Sequence, residues 1–234
     1  MSETAVAAPV TVRVARSDHD RSRVFALRAR SVADSGRASG PDAYDRLPNA
    51  TLLLAESACD GEALGTVRIL TGDRGPLMID GLLDLPASMK HRSIAEGSRI
   101  VVRDGYNARH VRLMLWKAFH RYCLAAQLQT ILVAAREAAA LEFEWLGFRN
   151  VSADGARFAP RGRDVATHRL LQLDVFEAHD AMVRSGHPLL EFFFVDRHPE
   201  IDLLGPVAAG SSRAAPVVPH QLRLAAALAD VAVV

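Results

Sequence analysis

Residues 94–103 read Ile-Ala-Glu-Gly-Ser-Arg-Ile-Val-Val-Arg, so Glu96 and Arg99 stand inside a stretch whose apolar and β-branched residues predict a strand. Desolvating a charge is costly unless the charge is paired or used. Two readings follow. Either Glu96 and Arg99 form a structural ion pair at a strand edge, or Glu96 is a general base whose pKa is tuned by burial and by the nearby guanidinium. Arg68 poses the same question, set between Val67 and Ile69 in the run Leu64–Leu70. So does Arg28, four positions from both Val24 and Val32 and therefore on the apolar face of a helix. A guanidinium in such a place meets a carboxylate or a bound anion, or else snorkels outward from an edge. Asp42 and Asp45, in Pro41-Asp42-Ala43-Tyr44-Asp45-Arg46, are turn formers or the acidic partners those arginines require.

The elements that must hold these residues are legible from periodicity. Val10–Arg16 alternates apolar and polar, the period of a half-buried strand. Ser17 and Asp20 have capping-box spacing and open a helix that turns Val24, Phe25, Leu27, Ser31 and Val32 inward. Gly36, Gly40, Pro41, Pro48 and Asn49 make residues 35–50 a long loop. Thr51–Ala55 and Leu64–Thr71 flank Asp60-Gly61 and predict an antiparallel hairpin closed by a tight positive-φ turn. A second irregular stretch precedes the strand Ser93–Arg103. Val111, Met114, Leu115, Ala118, Phe119, Tyr122 and Ala126 then recur at helical spacing between residues 108 and 127. Thr130–Ala135 predicts a buried strand, Glu137–Leu146 a helix stopped by Gly147, and Val165–Val175 a further strand after the Gly/Arg-rich turn at 155–163. Phe176–Arg184 and Pro188–Val195 are short helical segments. This order gives an α/β (α+β) domain, a mixed sheet flanked by helices. We place that domain over residues 1–204, with a core at about 10–175 and a helical C-terminal cap at 176–204; the Ala/Pro-rich residues 205–234 read as a mobile tail.

Composition removes whole classes of function. Twenty-eight Lys and Arg against 27 Asp and Glu give a formal net charge of +1, too little basic surface for a protein that coats nucleic acid. No apolar run approaches the ~18 residues of a membrane span, and the N-terminus lacks the basic start and apolar core of a secretory signal, so an integral membrane protein is excluded and a cytoplasmic location expected. Cys59 and Cys123 form no CxxC pair and have no His at ligand spacing, which argues against a metal site and fits a reducing compartment.

Taken together, Leu27-Arg28, Tyr44-Asp45, Leu64-Gly65-Thr66-Val67-Arg68-Ile69-Leu70, Glu96-Gly97-Ser98-Arg99-Ile100-Val101-Val102 and Leu146-Gly147-Phe148 occur in an order and spacing that resembles one group. These are the long-chain N-acyl amino acid synthases and their relatives the acyl-homoserine lactone synthases, both on the GNAT acyltransferase fold. The resemblance spans about residues 10–175. It implies a central, mostly antiparallel mixed sheet and transfer of a fatty acyl group from an acyl carrier protein or coenzyme A thioester to the amino group of an amino acid. No bound cofactor or metal is implied; acyl-ACP or acyl-CoA is a co-substrate, and the partners are an acyl carrier protein and a small amine or amino acid. Glu96, Arg99 and Arg68 would be catalytic, Arg28, Asp45 and Ser98 would bind the acceptor, and Ile100, Val101, Val102, Arg103, Arg109 and Arg112 would bind the donor. In particular, Arg103, Arg109 and Arg112, with Lys117 and Arg121 further along, would present a basic face to an acidic carrier protein. Common GNAT acetyltransferases have glycines where this chain reads Asn107-Ala108-Arg109-His110, which disfavours a coenzyme A diphosphate. Their leaving-group tyrosine falls at Phe143. Three other activities fit the same outline less closely: lactone synthesis from S-adenosylmethionine, coenzyme A-dependent acetyl transfer, and a non-catalytic binding module.

Overall fold

Alternation in Val10–Val14 makes β1, and the reciprocal bonds between Ser17 and Asp20 start helix α1, Asp18–Ala33. The computed structural model describes residues 9–33, 40–89, 92–105, 107–152, 156–159 and 167–204; the expected tail at 205–234, part of the loop at 35–50 and most of the turn at 155–163 lie outside them. β2 (Ala50–Ser57) and β3 (Ala63–Thr71) form the expected hairpin. Its turn is longer than two residues and only Gly61, at φ 71°, takes the left-handed region. β4 (Ile94–Val102) leads into α2 (Ala108–Ala125), β5 (Thr130–Arg136) into α3 (Glu137–Trp145), and Gly147, at φ 93°, stops α3 as its position predicts.

The remaining elements are short. β6 (Arg149–Asn150) and β7 (Arg157–Phe158) pair with β8 (His168–Asp174). The segment read as a helical cap carries α4 (Ala178–Ser185) and a π turn at Glu191–Val195, and it also sends a strand, β9 (Ile201–Asp202), back to the sheet. Among the described residues nine strands lie in the order β6-β8-β5-β4-β3-β2-β1-β9, with β7 on β8; β4 with β5 and β1 with β9 are parallel and the other pairs antiparallel. The sheet is mixed and mostly antiparallel, as expected.

The two faces of the sheet differ. One is packed by α2 and α3 through Val111, Leu115, Phe119, Trp116 and Phe143. There Gly65 and Gly97 let α2 sit down on β3 and β4, since a Cβ on Gly97 would lie 2.7 Å from Phe119. The other face takes α1, through Val24 on Leu52 and Leu54, and beside it a second cluster built from Leu70, Leu77, Ile79, Ile94 and Leu132. Leu52 pairs with Arg68, Arg68 with Ser98, and Leu70 with Glu96. Paired residues share a face, so Arg68, Ser98 and Glu96 all lie on the α1 side. Ser31, expected to face inward on α1, is exposed. Arg28, one turn earlier, is buried.

Candidate active site

Register and bulge together assemble the charged residues. Thr66 pairs with Val101 and Arg68 with Ser98, so Arg99 and Ile100 together oppose Val67. This β-bulge re-aims the chain, and Arg99 sits at φ 53°, a conformation that β-strand residues avoid. Beyond the bulge β4 also leaves its other neighbour. Its pairing with β5 runs only from Ile94–Thr130 to Gly97–Val133, whereas its pairing with β3 continues to Val102. On the β5 side, main-chain groups from Ser98 onward therefore have no strand partner among the described residues, and the flanking Ile100, Val101 and Val102 are half-buried.

Asp42 and Asp45 take both roles that their loop position allows. The Asp42 carboxylate accepts from Tyr44 N at 2.9 Å and Asp45 N at 3.2 Å, while Asp45 accepts from Asp42 N at 2.9 Å, closing a capping box on a 3-10 turn at Ala43–Arg46. The same two carboxylates hold the arginines. Asp45 Oδ1 lies 2.8 Å from Arg28 Nη1 and 3.2 Å from Arg68 Nη1; Asp42 Oδ1 lies 2.5 Å from Arg68 Nη1, and Asp42 Oδ2 2.8 Å from Arg99 Nη2. Burial pushes the Asp42 carboxyl up, yet the guanidiniums of Arg68 and Arg99 outweigh it and hold the group below its usual range. Arg68 is completed by Ser98 Oγ at 3.0 Å from its Nε, by Met78 Sδ at 3.3 Å, and by the Tyr44 ring 5.6 Å from its Cζ. Arg28, Asp45, Arg68 and Glu96 are all at most 2% exposed.

Glu96 does not pair with Arg99, which removes the simple ion-pair reading. Its Oε2 accepts from Ile79 N at 3.0 Å, and its Oε1 is buried without a hydrogen-bond partner. Burial pushes the carboxyl up to about 7, against the downward pull of Ile79 N–H and of the Arg68 charge. A carboxyl so placed exchanges a proton near neutral pH, the property a general base requires. Its cover, residues 77–83 with the 3-10 turn Ile79–Gly81, lies in a stretch that the sequence marks only as irregular, through Gly72, Gly75, Pro76, Gly81 and Pro86. Met78 and Ile79 are the site neighbours that sequence reasoning does not find; Tyr44 enters it only as part of the Tyr44-Asp45 motif, without a role.

The basic face divides. Lys117 is 1% exposed and its ammonium donates to Phe192 O and Asp196 O, so it ties down the π turn and presents nothing to a partner. Burial lowers its pKa to about 8. Arg121 donates to His198 O at 3.2 Å, on the same segment. Arg103, Arg109 and Arg112 do reach the surface, yet Arg103 pairs with Glu62, Arg112 with Glu142 at 3.0 Å, and Arg109 lies 5.4 Å from the Trp145 ring centre. Around the N-terminus of α2 runs a cleft of about 360 Å³ that Asp60, Glu62 and Asp104 line together with Arg103. Phe143 is packed against Trp116 and Phe148, at ring distances of 5.0 and 5.2 Å.

A profile of the N-acyl amino acid synthase FeeM family matches residues 23–174. No curated protein matches the chain in sequence. Among solved structures it is similar to FeeM, an N-acyl amino acid synthase from uncultured soil microbes, at 16% identity and a TM-score of 0.60 over 79% of this chain and 99% of that one. A CoA-dependent acyl-homoserine lactone synthase, BjaI, with SAM and isopentyl-CoA, is similar at 16% identity and a TM-score of 0.53 over 93% and 100% of the two chains. The AHL synthase LasI is similar at 20% identity and a TM-score of 0.53 over 73% and 94%. The shared architecture is the GNAT fold.

Proposed function

The chain belongs to the N-acyl amino acid synthase FeeM family, and from that premise we propose that it acylates the amino group of an amino acid with a fatty acyl group carried as a thioester. The observation that carries this reading is Glu96: a carboxyl buried on an inner strand, pushed up to about 7, with Oε1 unpaired, two residues before the part of β4 that β5 no longer pairs. The amine gives a proton to Glu96, directly or through a water, and its nitrogen attacks the thioester carbonyl. Main-chain N–H groups on the β4 edge from Ser98 to Val102 hold the pantetheine arm as an added strand would, and one of them meets the oxyanion. When the tetrahedral intermediate collapses the C–S bond breaks and the thiolate leaves. A thiolate leaves without an acid, so Phe143 in place of a tyrosine is no obstacle.

The cleft at the start of α2 supports a carrier protein as donor over coenzyme A. Three carboxylates there face one arginine, and no glycine opens the helix for a diphosphate. A phosphopantetheine arm brings one phosphodiester charge to that place, where coenzyme A brings a diphosphate and a further phosphate. Among the described residues no helix is long and apolar enough to cross a membrane, and we place the reaction in the cytoplasm, where acyl thioesters are made.

The test is mass spectrometry of lipid extracts from a bacterial host expressing the chain or its Glu96→Gln variant. A Glu96-dependent series of N-acyl amino acids is the expected result and names acceptor and chain length. Acyl-homoserine lactones, or an unchanged series from a folded Glu96→Gln protein, would overturn the acceptor or the base, respectively.

A further inference from the structure

Glu96 has one oxygen engaged and one free, and the engagement comes from a stretch that is almost wholly irregular. Residues 72–83 follow β3, and within them only the short turn Ile79–Gly81 is regular. Leu77 and Ile79 are 4% and 0% exposed and pack with Leu70, Ile94 and Leu132, while Ile79 N–H donates to Glu96 Oε2 at 3.0 Å. Connecting segments are the mobile parts of a fold, so holding one against a reacting group takes anchors. Two polar side chains outside the charged cluster supply them. Asn49, just before β2, is 3% exposed; its Nδ2 donates to Thr71 O and to Pro76 O, both at 3.1 Å, and its main-chain carbonyl accepts from Thr71 N at 3.2 Å. One side chain thus pins both ends of the excursion from Thr71 to Pro76. Gly75 lets that excursion lie down on it, since a Cβ there would come 2.8 Å from Asn49 Cγ. Asp80 is exposed, yet its Oδ2 accepts from Leu77 N at 2.9 Å, folding the chain back three residues and fixing the turn from which Ile79 N–H reaches Glu96.

Resting on the acyltransferase reading above, we propose that residues 72–83 are a built cover for the base and that Asn49 and Asp80 are its positioning residues: they hold Ile79 N–H on Oε2, keep water off the carboxyl and leave Oε1 to take the proton of the amine. Solvent stands close by, in a cleft of about 420 Å³ lined by Gly72, Gly75, Leu77, Asp80 and Ile94 among others, so a loosened cover admits water. The electrostatics agree. Burial is the largest influence on Glu96 and pushes it up to about 7; the N–H groups of Ile79 and Met78 and the charge of Arg68 pull it down, and the charge of Asp80 adds a smaller upward push. Opening the cover removes the largest influence, and the carboxyl then drops toward 4.5.

The experiment uses the full chain as wild type, Asp80→Ala, Asp80→Asn and Asn49→Ala, with two readouts. The Glu96 carboxyl is titrated by carbon-13 NMR in protein labelled at its glutamate carboxyls, its signal being the one that Glu96→Gln lacks, and kcat/KM with amino acid and acyl-pantetheine is profiled against pH. Asp80→Ala and Asn49→Ala are expected to move the Glu96 midpoint and the acid limb of the profile down together by about one pH unit or more. They should lower kcat about tenfold and leave KM for the thioester unchanged. Asp80→Asn, which keeps an oxygen for Leu77 N–H, should stay closer to the wild type. A midpoint that stays or rises in folded Asp80→Ala would overturn the cover. Equal shifts in Asp80→Asn and Asp80→Ala would overturn the positioning role of Asp80, since its charge alone would then account for both. If Asn49→Ala does not fold, the exposed Asp80 pair decides. A wild type without transfer activity would sink the acyltransferase reading while the NMR midpoints still decide the cover; transfer with an unmoved midpoint in Asp80→Ala would do the reverse.

Discussion

Glu96 illustrates how a residue's chemistry is set by what surrounds it. On a solvated loop it would ionise near 4.5; here burial holds it up to about 7. Two consequences can be measured. Since the base must be unprotonated to accept from the amine, kcat/KM should fall as pH drops below about 7, and Glu96→Gln should lower kcat by roughly 10²-fold or more and flatten that limb. A pH–rate profile that keeps its limb in the variant would assign the titration elsewhere. The second consequence concerns stability. A carboxyl whose folded pKa is raised binds more protons folded than unfolded, so its contribution is full below about 4.5, shrinks as pH rises through about 7 and is gone above. Relative to Glu96→Gln, the wild type should therefore lose stability on the order of 3 kcal/mol between pH 4 and pH 8, read by denaturant unfolding; a pH-independent difference would contradict the burial argument. At this scale the sequence is a good guide to which residues matter and a poor one to which pair. A glutamate and three arginines in apolar settings stand out by type. That Asp42 serves Arg68, Arg99 and its own turn at once, and that Ile79 N–H rather than Arg99 meets Glu96, depends on a loop closing over β4, which no periodicity encodes.

Strand β4 is the element through which these residues act. It pairs with β3 from Ala95 to Val102, interrupted by the bulge, and leaves β5 after Gly97, so that Glu96 lies between two strand partners while Ser98–Val102 has one on the β3 side alone among the described residues. Gly97 sits at that divide, and the reason for a glycine is space rather than conformation, for a Cβ would meet Phe119 Cε1 at 2.7 Å and Val133 Cγ1 at 3.2 Å. Gly97→Ala should push α2 off the sheet and cost about 1–3 kcal/mol, a fall of about 2–4 °C in Tm per kcal/mol for a chain of this size. An unchanged Tm would mean that the helix has slack against β4. The elements long enough to show a period were legible in advance: β1 and α1, the β2–β3 hairpin, β4, α2, β5 and α3. Strands β6, β7 and β9 have two residues each, shorter than any repeat, and only pairing with a distant partner makes them strands. The bulge at Arg99 escapes the sequence for another reason, since a left-handed φ is signalled by Gly or Asn and here falls on arginine.

At the scale of the whole molecule the charges nearly cancel, 28 basic side chains against 27 acidic, so long-range steering toward an acidic carrier protein is weak and docking has to be local. In the proposed reaction the donor arm enters at the start of α2, and the arginines of that surface are already engaged: Arg103 by Glu62 and Arg112 by Glu142. Exposed pairs of this kind contribute little to folding, so they can be opened without harm to the fold. If an acyl carrier protein docks there, it competes with those two glutamates for the same guanidiniums. Glu62→Gln with Glu142→Gln should then lower KM for an acyl carrier protein donor several-fold at low ionic strength. Arg109→Glu should raise it, and high salt should shrink both effects, because screening acts over about 10 Å at 0.1 M. Acyl-pantetheine, which has no protein surface, should respond to none of these changes. Parallel shifts for both donors would show that the substitutions act on the β4 opening itself, and the acidic rim of the α2 cleft would then be a feature of the pantetheine path and not of a docking surface.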